Sequence, residues 1–165
     1  LDGVEVRIGE DGEVLLRGPV LFDGYEGDPE RTTAALRDGW FHSGDLGFLD
    51  EDGWLYFVDR KRDVIRRGGE NVSSVLVEKT IREHPKVTDV AVIGIPDPVL
   101  GQEIKAFVVT SEPVPEDELR AFTAERLAKF QVPRLWEFRN SLPKTPTQRV
   151  EKYRLRESGG GSLLG

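Results

Sequence analysis

Residues 3–58 consist of short strand-like runs separated by turn signals, which restricts the first third of the chain to small β-structure. Residues 4–8 alternate apolar and polar side chains, the period of two expected of a half-buried strand. The turn signal at residues 10–12 precedes a second run from Glu13 to Arg17, which predicts a hairpin. Further turns are expected at Asp38-Gly39 and at residues 50–53.

One short helix is expected within this β-rich part. Asp28 is a good helix cap, and Pro29 suits the first helical position because its missing N–H has no helical partner there. The sequence therefore predicts a helix that begins at Pro29.

In residues 64–157 the pattern of apolar residues changes, and helix-like segments alternate with strand-like ones. This pattern predicts a compact domain. Two glycines, Gly68 and Gly69, predict a hairpin-like loop, and Ser73 or Ser74 can cap a helix that reaches His84. A continuous apolar strand is expected at 87–95, central in its sheet. Shorter strands are expected at 104–110 and at 136–138. A helix is expected from Glu116 to about Ala128, with a buried stripe of Leu119, Phe122, Leu127 and Phe130. The fold class is α+β: a partial β-subdomain, then a domain with a central mixed sheet and flanking helices.

Composition excludes several classes of protein. The chain has no Cys, which rules out disulfides and thiolate metal sites, and no Met. No apolar run approaches the roughly 20 residues of a membrane span, and no signal peptide is visible. We therefore expect a cytoplasmic protein. The absence of an initiating Met, with a start inside a strand-like run, leads us to expect a piece of a longer protein.

Charge is spread unevenly along the chain. Residues 1–58 carry 14 acidic and 4 basic side chains, whereas residues 59–165 carry 16 acidic and 19 basic ones. The change of sign places a domain boundary near Asp59. Two ordinary solvated surfaces would explain this charge pattern. Binding of polyanions by the more basic residues 59–165 would explain it as well. The overall net charge of −7 argues against a nucleic-acid partner.

The stretch from Trp40 to Asn71 gathers the residues best suited to chemistry. Asp45 follows a Ser-Gly pair in an expected turn, a run of five basic residues lies between Asp59 and Arg67, and two glycines follow. An acid can accept sugar hydroxyls, Arg can fork onto phosphate oxygens, and Gly permits close approach. These residues together suit a nucleotide. The alternatives are an Asp that bonds its own backbone, surface salt bridges and a plain hairpin turn.

The order and spacing of three motifs resemble the acyl-adenylate-forming (AMP-binding) enzymes. The motifs are DGWFHSGDLGFLDEDGWLYFVDRKRDVIRRGGENVSS, AKFQVPR and LPKTPTQRVEK. The resemblance extends over roughly residues 3–156, and its details are similar to acyl-CoA synthetases. It implies that residues 1–61 are the last β-subdomain of a large N-terminal domain. Residues 62–157 would be the mobile C-terminal domain, and residues 158–165 a flexible tail.

The same resemblance implies roles for individual residues. Asp45 and Arg60 would bind the ribose and phosphates of ATP or AMP. Arg62 would be the hinge about which the C-terminal domain swings between an adenylating pose and a thioester-forming pose. A hinge needs backbone freedom more than a special side chain. A salt bridge from Arg60 to Asp59 or Asp63 is the alternative for that residue.

The remaining implied roles concern the acyl-transfer chemistry. Gly68, Gly69 and Glu70 would line the path of the CoA pantetheine. The family's last motif ends in Gly-Lys, where this chain has Gln148 and Arg149. Arg149 would therefore replace the Lys that bridges the carboxylate and the α-phosphate, although Lys144 and Lys152 are nearby alternatives.

The implied activity is that of an ATP-dependent acyl-CoA ligase, with this chain inactive alone. ATP/AMP and CoA would be substrates, Mg²⁺ would accompany ATP with its ligands outside this chain, and the missing N-terminal domain would be the partner. His42 and His84 lack the neighbours of a metal site. Two alternatives stay open: an adenylation domain that loads a carrier protein, and a non-enzymatic binding module with a degenerate site.

Overall fold

The computed structural model of the chain describes residues 3–21 and 23–159. The chain divides into two compact units, with the division between Arg62 and Asp63. Each unit has its own sheet.

The first unit is built on one antiparallel sheet. Its elements are β1 (Glu5–Ile8), β2 (Glu13–Arg17), α1 (Pro29–Ala35), β3 (Leu36–Arg37), β4 (Trp40–Leu49) and β5 (Leu55–Arg60). The strand order is β1-β2-β4-β3, and β5 pairs with β4. The predicted hairpin is confirmed by the β1–β2 pairing. The predicted helix is confirmed too: Asp28 accepts a hydrogen bond from the Arg31 N–H, and Pro29 is the first helical residue.

The described part of the second unit contains a mixed sheet and three helices. Its elements are β6 (Ile65–Arg67), β7 (Glu70–Val72), α2 (Ser74–Arg82), β8 (Val87–Asp97), β9 (Gly101–Thr110), α3 (Glu116–Ala124), a single 3-10 turn (Lys129–Gln131), β10 (Leu135–Phe138) and α4 (Lys152–Gly159). β10 runs parallel to β9, and the other pairs are antiparallel. The α+β class and the mixed sheet are confirmed.

The long β8–β9 hairpin separates two apolar cores. On β8, Val90 and Val92 belong to one core, and Ala91, Ile93 and Ile95 belong to the other. The first core also takes residues from α2 and α3, whereas Leu142 and Leu155 join the second. Both faces of the hairpin are thus buried.

The prediction that the 87–95 strand is central was wrong. Among the described strands, β8 pairs only with β9, whereas β9 pairs with β6, β8 and β10. The continuous apolar run arises because both faces of β8 are covered, which does not require a strand on each side. At the open edge, the Val92 N–H donates to Glu78 Oε1 at 2.8 Å, so a side chain takes the place of a neighbouring strand.

The second unit differs from the sequence prediction in three places. α3 ends at Ala124, four residues early, and the chain tightens after it, since the Arg126 N–H bonds to the carbonyl of Thr123 three residues before it. Phe130 is exposed and does not join the predicted stripe. α4 was not predicted and includes Ser158 and Gly159, which were expected in a flexible tail. The remainder of that tail, 160–165, lies outside the described residues.

Candidate functional site

Asp45 and Arg60 face each other across two strands of the first unit. They are directly paired in the β4–β5 register, so their side chains leave the sheet on the same face. Arg60 Nε lies 2.8 Å from Asp45 Oδ1, although the contact lacks the alignment of a hydrogen bond. Both side chains are partly exposed, at 39% and 29%. The structure therefore brings this acid and this cation together where a ligand can reach them.

Asp45 lies within β4, which corrects the expected turn. A β-bulge opposite β2 contains Ser43 and Gly44, and Gly44 has a φ of 72°. The Asp45 N–H donates to Ser43 Oγ at 3.1 Å. The Ser-Gly pair therefore re-aims a strand residue. The Arg60 side chain contacts Asp45, and the Arg60 backbone N–H donates to Asp59 Oδ1 at 2.7 Å.

Glu13, which the sequence analysis missed, supports this bulge from β2. The residue is only 4% exposed. It accepts hydrogen bonds from the Gly44 N–H at 3.0 Å and from Lys61 Nζ at 2.9 Å, and His42 Nδ1 lies 3.1 Å away. Burial raises the pKa of Glu13, but the bonds from Lys61, His42 and Gly44 outweigh it, and the net pKa is lowered. An acid at a buried strand position was the available signal.

The boundary between the units falls between two anchored residues. Lys61 is held in the first unit: its Nζ lies 2.7 Å from Asp11 Oδ2, and its N–H donates to the Gly44 carbonyl. Hydrogen bonds to Asp11 and Glu13 raise the pKa of Lys61. Asp63 is held in the second unit by Arg156 Nη2 at 2.7 Å. Arg62, the predicted hinge, lies between the two.

Gly68 and Gly69 form the two-residue turn of the β6–β7 hairpin. Their φ angles are 59° and 86°, as a type I′ turn requires, and the register pairs Arg67 with Glu70. A Cβ at Gly69 would meet no heavy atom within 4 Å, and Glu70 is exposed. The turn therefore offers open space beside exposed backbone, which fits both the pantetheine hypothesis and a plain hairpin.

Arg149 lies at the end of a tight turn in the second unit. The Gln148 N–H bonds to the Thr145 carbonyl and the Thr145 N–H to the Arg149 carbonyl, both at 2.9 Å. Gln148 has a φ of 65°, the left-handed conformation that favours Gly. The Arg149 side chain is exposed, and no described residue pairs with its guanidinium. The turn thus presents a cation to the surroundings.

The two alternative lysines have partners already. Lys144 Nζ lies 2.7 Å from Asp89 Oδ2. Lys152 Nζ donates to Ser74 Oγ at 2.7 Å and lies 2.8 Å from Glu78 Oε1, with only 14% of the Lys152 side chain exposed. Of these three cations, Arg149 is the one whose charge is uncommitted within the described residues.

A basic cleft that the sequence analysis missed lies elsewhere in the second unit. Its volume is about 420 Å³, and its lining includes Arg67, Arg120, Lys129 and Arg134. The Arg67 guanidinium is held by the fully buried Glu103. Arg67 Nη2 donates a hydrogen bond to Glu103 Oε2 at 3.0 Å. Arg67 Nε lies 2.7 Å from Glu103 Oε1, although this contact lacks the alignment of a hydrogen bond. The available signal was the basic character of the second half of the chain.

Histidines and acids do not gather into a metal site in the part of the chain that is described. His42 contacts Glu13, and the buried His84 lies 3.2 Å from Glu118 Oε1 and packs edge-on against Phe122. In the same described part, no helix is both long and apolar enough to cross a membrane.

Comparison with known proteins gives consistent matches. Residues 76–149 match the AMP-binding enzyme C-terminal domain. The chain is 43% identical over 150 residues to a long-chain-fatty-acid–CoA ligase of Bacillus subtilis, covering 90% of this chain and 27% of that protein.

Two solved structures also match. ATP-bound MatB from Rhodopseudomonas palustris has a TM-score of 0.89 and 32% identity, over 98% of this chain and 35% of that one. O-succinylbenzoate CoA synthetase (MenE) from Bacillus subtilis, in complex with its acyl-adenylate intermediate, has a TM-score of 0.88 and 32% identity, over 99% and 36%. The chain thus spans about a third of the length of these relatives.

Proposed function

Because this chain belongs to the family of AMP-binding enzymes and contains their C-terminal domain, we propose that it works as part of an ATP-dependent acyl-CoA ligase. In the first step a carboxylate oxygen attacks the α-phosphorus of ATP, and the bond to pyrophosphate breaks. In the second step the CoA thiolate attacks the acyl carbon, and AMP leaves. The observation that carries the proposal is the 43% identity over 150 residues to a protein named as a CoA ligase.

We propose that Asp45 and Arg60 bind the nucleotide. A carboxylate can accept both hydroxyls of a ribose diol, and a guanidinium can donate to ribose or phosphate oxygens. Their mutual contact at 2.8 Å, with both side chains partly exposed, supports this assignment. Arriving nucleotide would replace the ion pair by charge-assisted hydrogen bonds, from ribose hydroxyls to Asp45 and from Arg60 to ribose or phosphate oxygens.

We propose that the two units rotate about Arg62 between the steps. The anchoring of Lys61 to Asp11 in one unit, and of Asp63 to Arg156 in the other, supports a link this short. Backbone freedom at one or two residues is sufficient for such a motion. On this proposal residues 1–61 belong to a larger N-terminal domain and residues 62–157 form the mobile one.

Arg149 is our candidate for the cation that bridges the carboxylate and the α-phosphate during adenylation. The commitment of Lys144 and Lys152 to Asp89 and Glu78 supports this choice. Arg keeps the charge of a Lys but is planar and always protonated. Its effect is therefore electrostatic, and it stabilises charge that develops in the transition state.

For CoA we propose two contact regions. Gly68, Gly69 and the exposed Glu70 would border the pantetheine, because the turn leaves open space beside the backbone. The basic cleft would take CoA phosphates through Lys129 and Arg134. Arg134 is 67% exposed and lies 3.9 Å from its nearest acid, so it is loosely paired.

We propose that the remainder of a longer polypeptide covers the β4–β5 hairpin of the first unit. Large apolar side chains are exposed there, namely Phe48, Leu49, Trp54, Leu55, Tyr56, Phe57 and Val58. A patch of this kind marks an interaction surface. The same remainder would supply the acyl pocket and the Mg²⁺ ligands. A cytoplasmic location completes the proposal.

Two rival functions use different acceptors or none. An adenylation domain that loads a carrier protein would share Asp45, Arg60 and Arg149 but would not need the basic cleft for CoA phosphates. A non-enzymatic module with a degenerate site is favoured by the Arg at position 149 alone.

Half-reaction kinetics on the full-length protein test these proposals. Arg149→Ala should slow acyl-AMP formation and spare thioester formation from supplied acyl-AMP. Gly69→Trp should do the reverse, because the indole would occupy the pantetheine path. Gly27→Trp is the matched control: Gly27 also has a positive φ, 73°, and open space around it.

The outcomes separate the alternatives. No ATP–pyrophosphate exchange with any carboxylic acid would favour the non-enzymatic module, and acyl transfer to a carrier protein but not to CoA would favour the second rival. Equal slowing of both steps by both variants would contradict the two-pose assignment. The isolated 165-residue chain should show no exchange.

A further inference from the structure

α4 carries two cations one helical turn apart that hold different parts of the second unit. Lys152 and Arg156 are four residues apart and so lie on the same side of the helix. Lys152 contacts Ser74 and Glu78 on α2, and Arg156 contacts Asp63 beside the unit boundary. Between them Leu155 is fully buried, which fixes the helix against β8.

The Lys152 end holds the turn that carries Arg149. Glu78 Oε1 accepts from the Val92 N–H as well as pairing with Lys152, so the start of α4 is bound to α2 and to the open edge of β8. The Glu151 N–H donates to the Pro143 carbonyl at 2.8 Å, closing the turn at its base. On the other arm of the turn, Lys144 is held by Asp89.

The Arg156 end holds the residue next to the proposed hinge. Asp63 is the first residue of the second unit, and only 11% of its side chain is exposed. One helix therefore links the start of this unit to the Arg149 turn. The Gly68–Gly69 turn is carried by β6 and β7, whose residues Ile65 and Val72 are buried in the first core, so apolar packing holds this turn in addition to the polar contacts at Asp63 and Ser74.

We propose that α4 is a strut that transmits rotation at Arg62 to Arg149, with Lys152 and Arg156 as positioning residues for adenylation. This inference rests on the proposed function. Loss of either anchor lets the Arg149 turn move relative to the hinge, whereas the Gly68–Gly69 turn keeps its place. The two half-reactions should therefore respond differently.

The test uses the full-length protein and the variants Arg156→Met and Lys152→Met. Acyl-AMP formation should slow on the order of tenfold to a hundredfold, the range that misplacement of a catalytic group by about 1 Å produces. The KM for ATP and thioester formation from supplied acyl-AMP should stay unchanged. Glu157→Gln is the control on the same helix, because the Glu157 side chain is exposed and no described residue forms an ion pair with it.

Two further variants separate positioning from stability. Charge exchange in Asp63→Arg/Arg156→Asp should restore much of the adenylation rate that Arg156→Met loses. Lys152→Met leaves the Glu78 carboxylate without its cation. Lys152→Met/Glu78→Gln removes that charge and keeps an acceptor for Val92, and it should slow adenylation as the single variant does. Equal slowing of both half-reactions, or unchanged adenylation, would overturn the strut.

Hydrogen exchange gives a readout that does not depend on activity. Backbone amides of residues 145–150 should exchange faster in Arg156→Met and Lys152→Met, whereas those of residues 65–72 should not. If the unsubstituted protein forms no acyl-AMP, the proposed function fails, yet the strut is still tested by exchange. Unchanged exchange at residues 145–150 would refute it.

Discussion

Replacement of Gln148 by Gly should stabilise the protein. Gln148 has a φ of 65° and is exposed, and its side chain makes no hydrogen bond to any described residue. In the described chain only Asp38 shares a positive φ without being a glycine. Asp tolerates that conformation better than Gln because its short side chain can bond locally. The turn therefore contains a strained residue with few compensating contacts.

The magnitude follows from two opposing terms. The left-handed conformation costs a non-glycine residue about 1–2 kcal/mol. Glycine loses about 0.5–1 kcal/mol more backbone entropy than Ala when it is ordered. Gln148→Gly should therefore gain about 0.5–1 kcal/mol, the difference between these terms. For a chain of this size the gain corresponds to a rise in Tm of about 1–4 °C.

The assay is thermal unfolding of the 165-residue chain, compared with denaturant unfolding at constant m-value. Thr147→Gly is the matched control, because Thr147 lies in the same turn without a positive φ. It should lower stability, since it adds entropy to the unfolded chain and relieves no strain. A fall in Tm for Gln148→Gly equal to that for Thr147→Gly would refute the reasoning.

Further predictions address the nucleotide, CoA and pH. Asp45→Ala in the full-length protein should weaken ATP binding by about 1.5–3 kcal/mol for each charge-assisted bond lost, and unchanged affinity by calorimetry would leave Asp45 only structural. Lys129→Ala/Arg134→Ala should raise the KM for CoA without altering ATP–pyrophosphate exchange, and an altered exchange rate would argue against the cleft as a CoA site. The lowered pKa of Glu13 means that its stabilisation is present above pH 4.5, its ordinary pKa, and is lost as pH falls through the lowered one. Acid titration of Lys61→Met, which removes a cause of that shift, should show a smaller loss; an equal loss would contradict the pairing.

Local sequence determined most of the helices, strands and turns, because the patterns that predict them involve only residues that are close together in the chain. Period-two alternation, the Asp28-Pro29 start of α1 and the Gly68-Gly69 turn each reflect backbone geometry within a few residues. The motif order determined the family, and the family match at residues 76–149 agrees with it. The α+β class follows from the same local patterns.

Only the tertiary structure decided which charges meet. Glu13 contacts Lys61 across 48 positions, and Asp63 contacts Arg156 across 93. Such pairs leave no periodic signal, because their spacing depends on how strands and helices pack. The same holds for α4, whose one fully buried apolar residue, Leu155, gives no amphipathic stripe and whose helix is held by packing and ion pairs. The sequence therefore determined the elements and the family, whereas packing decided that, among the described residues, Lys144 and Lys152 have acidic partners and Arg149 has none.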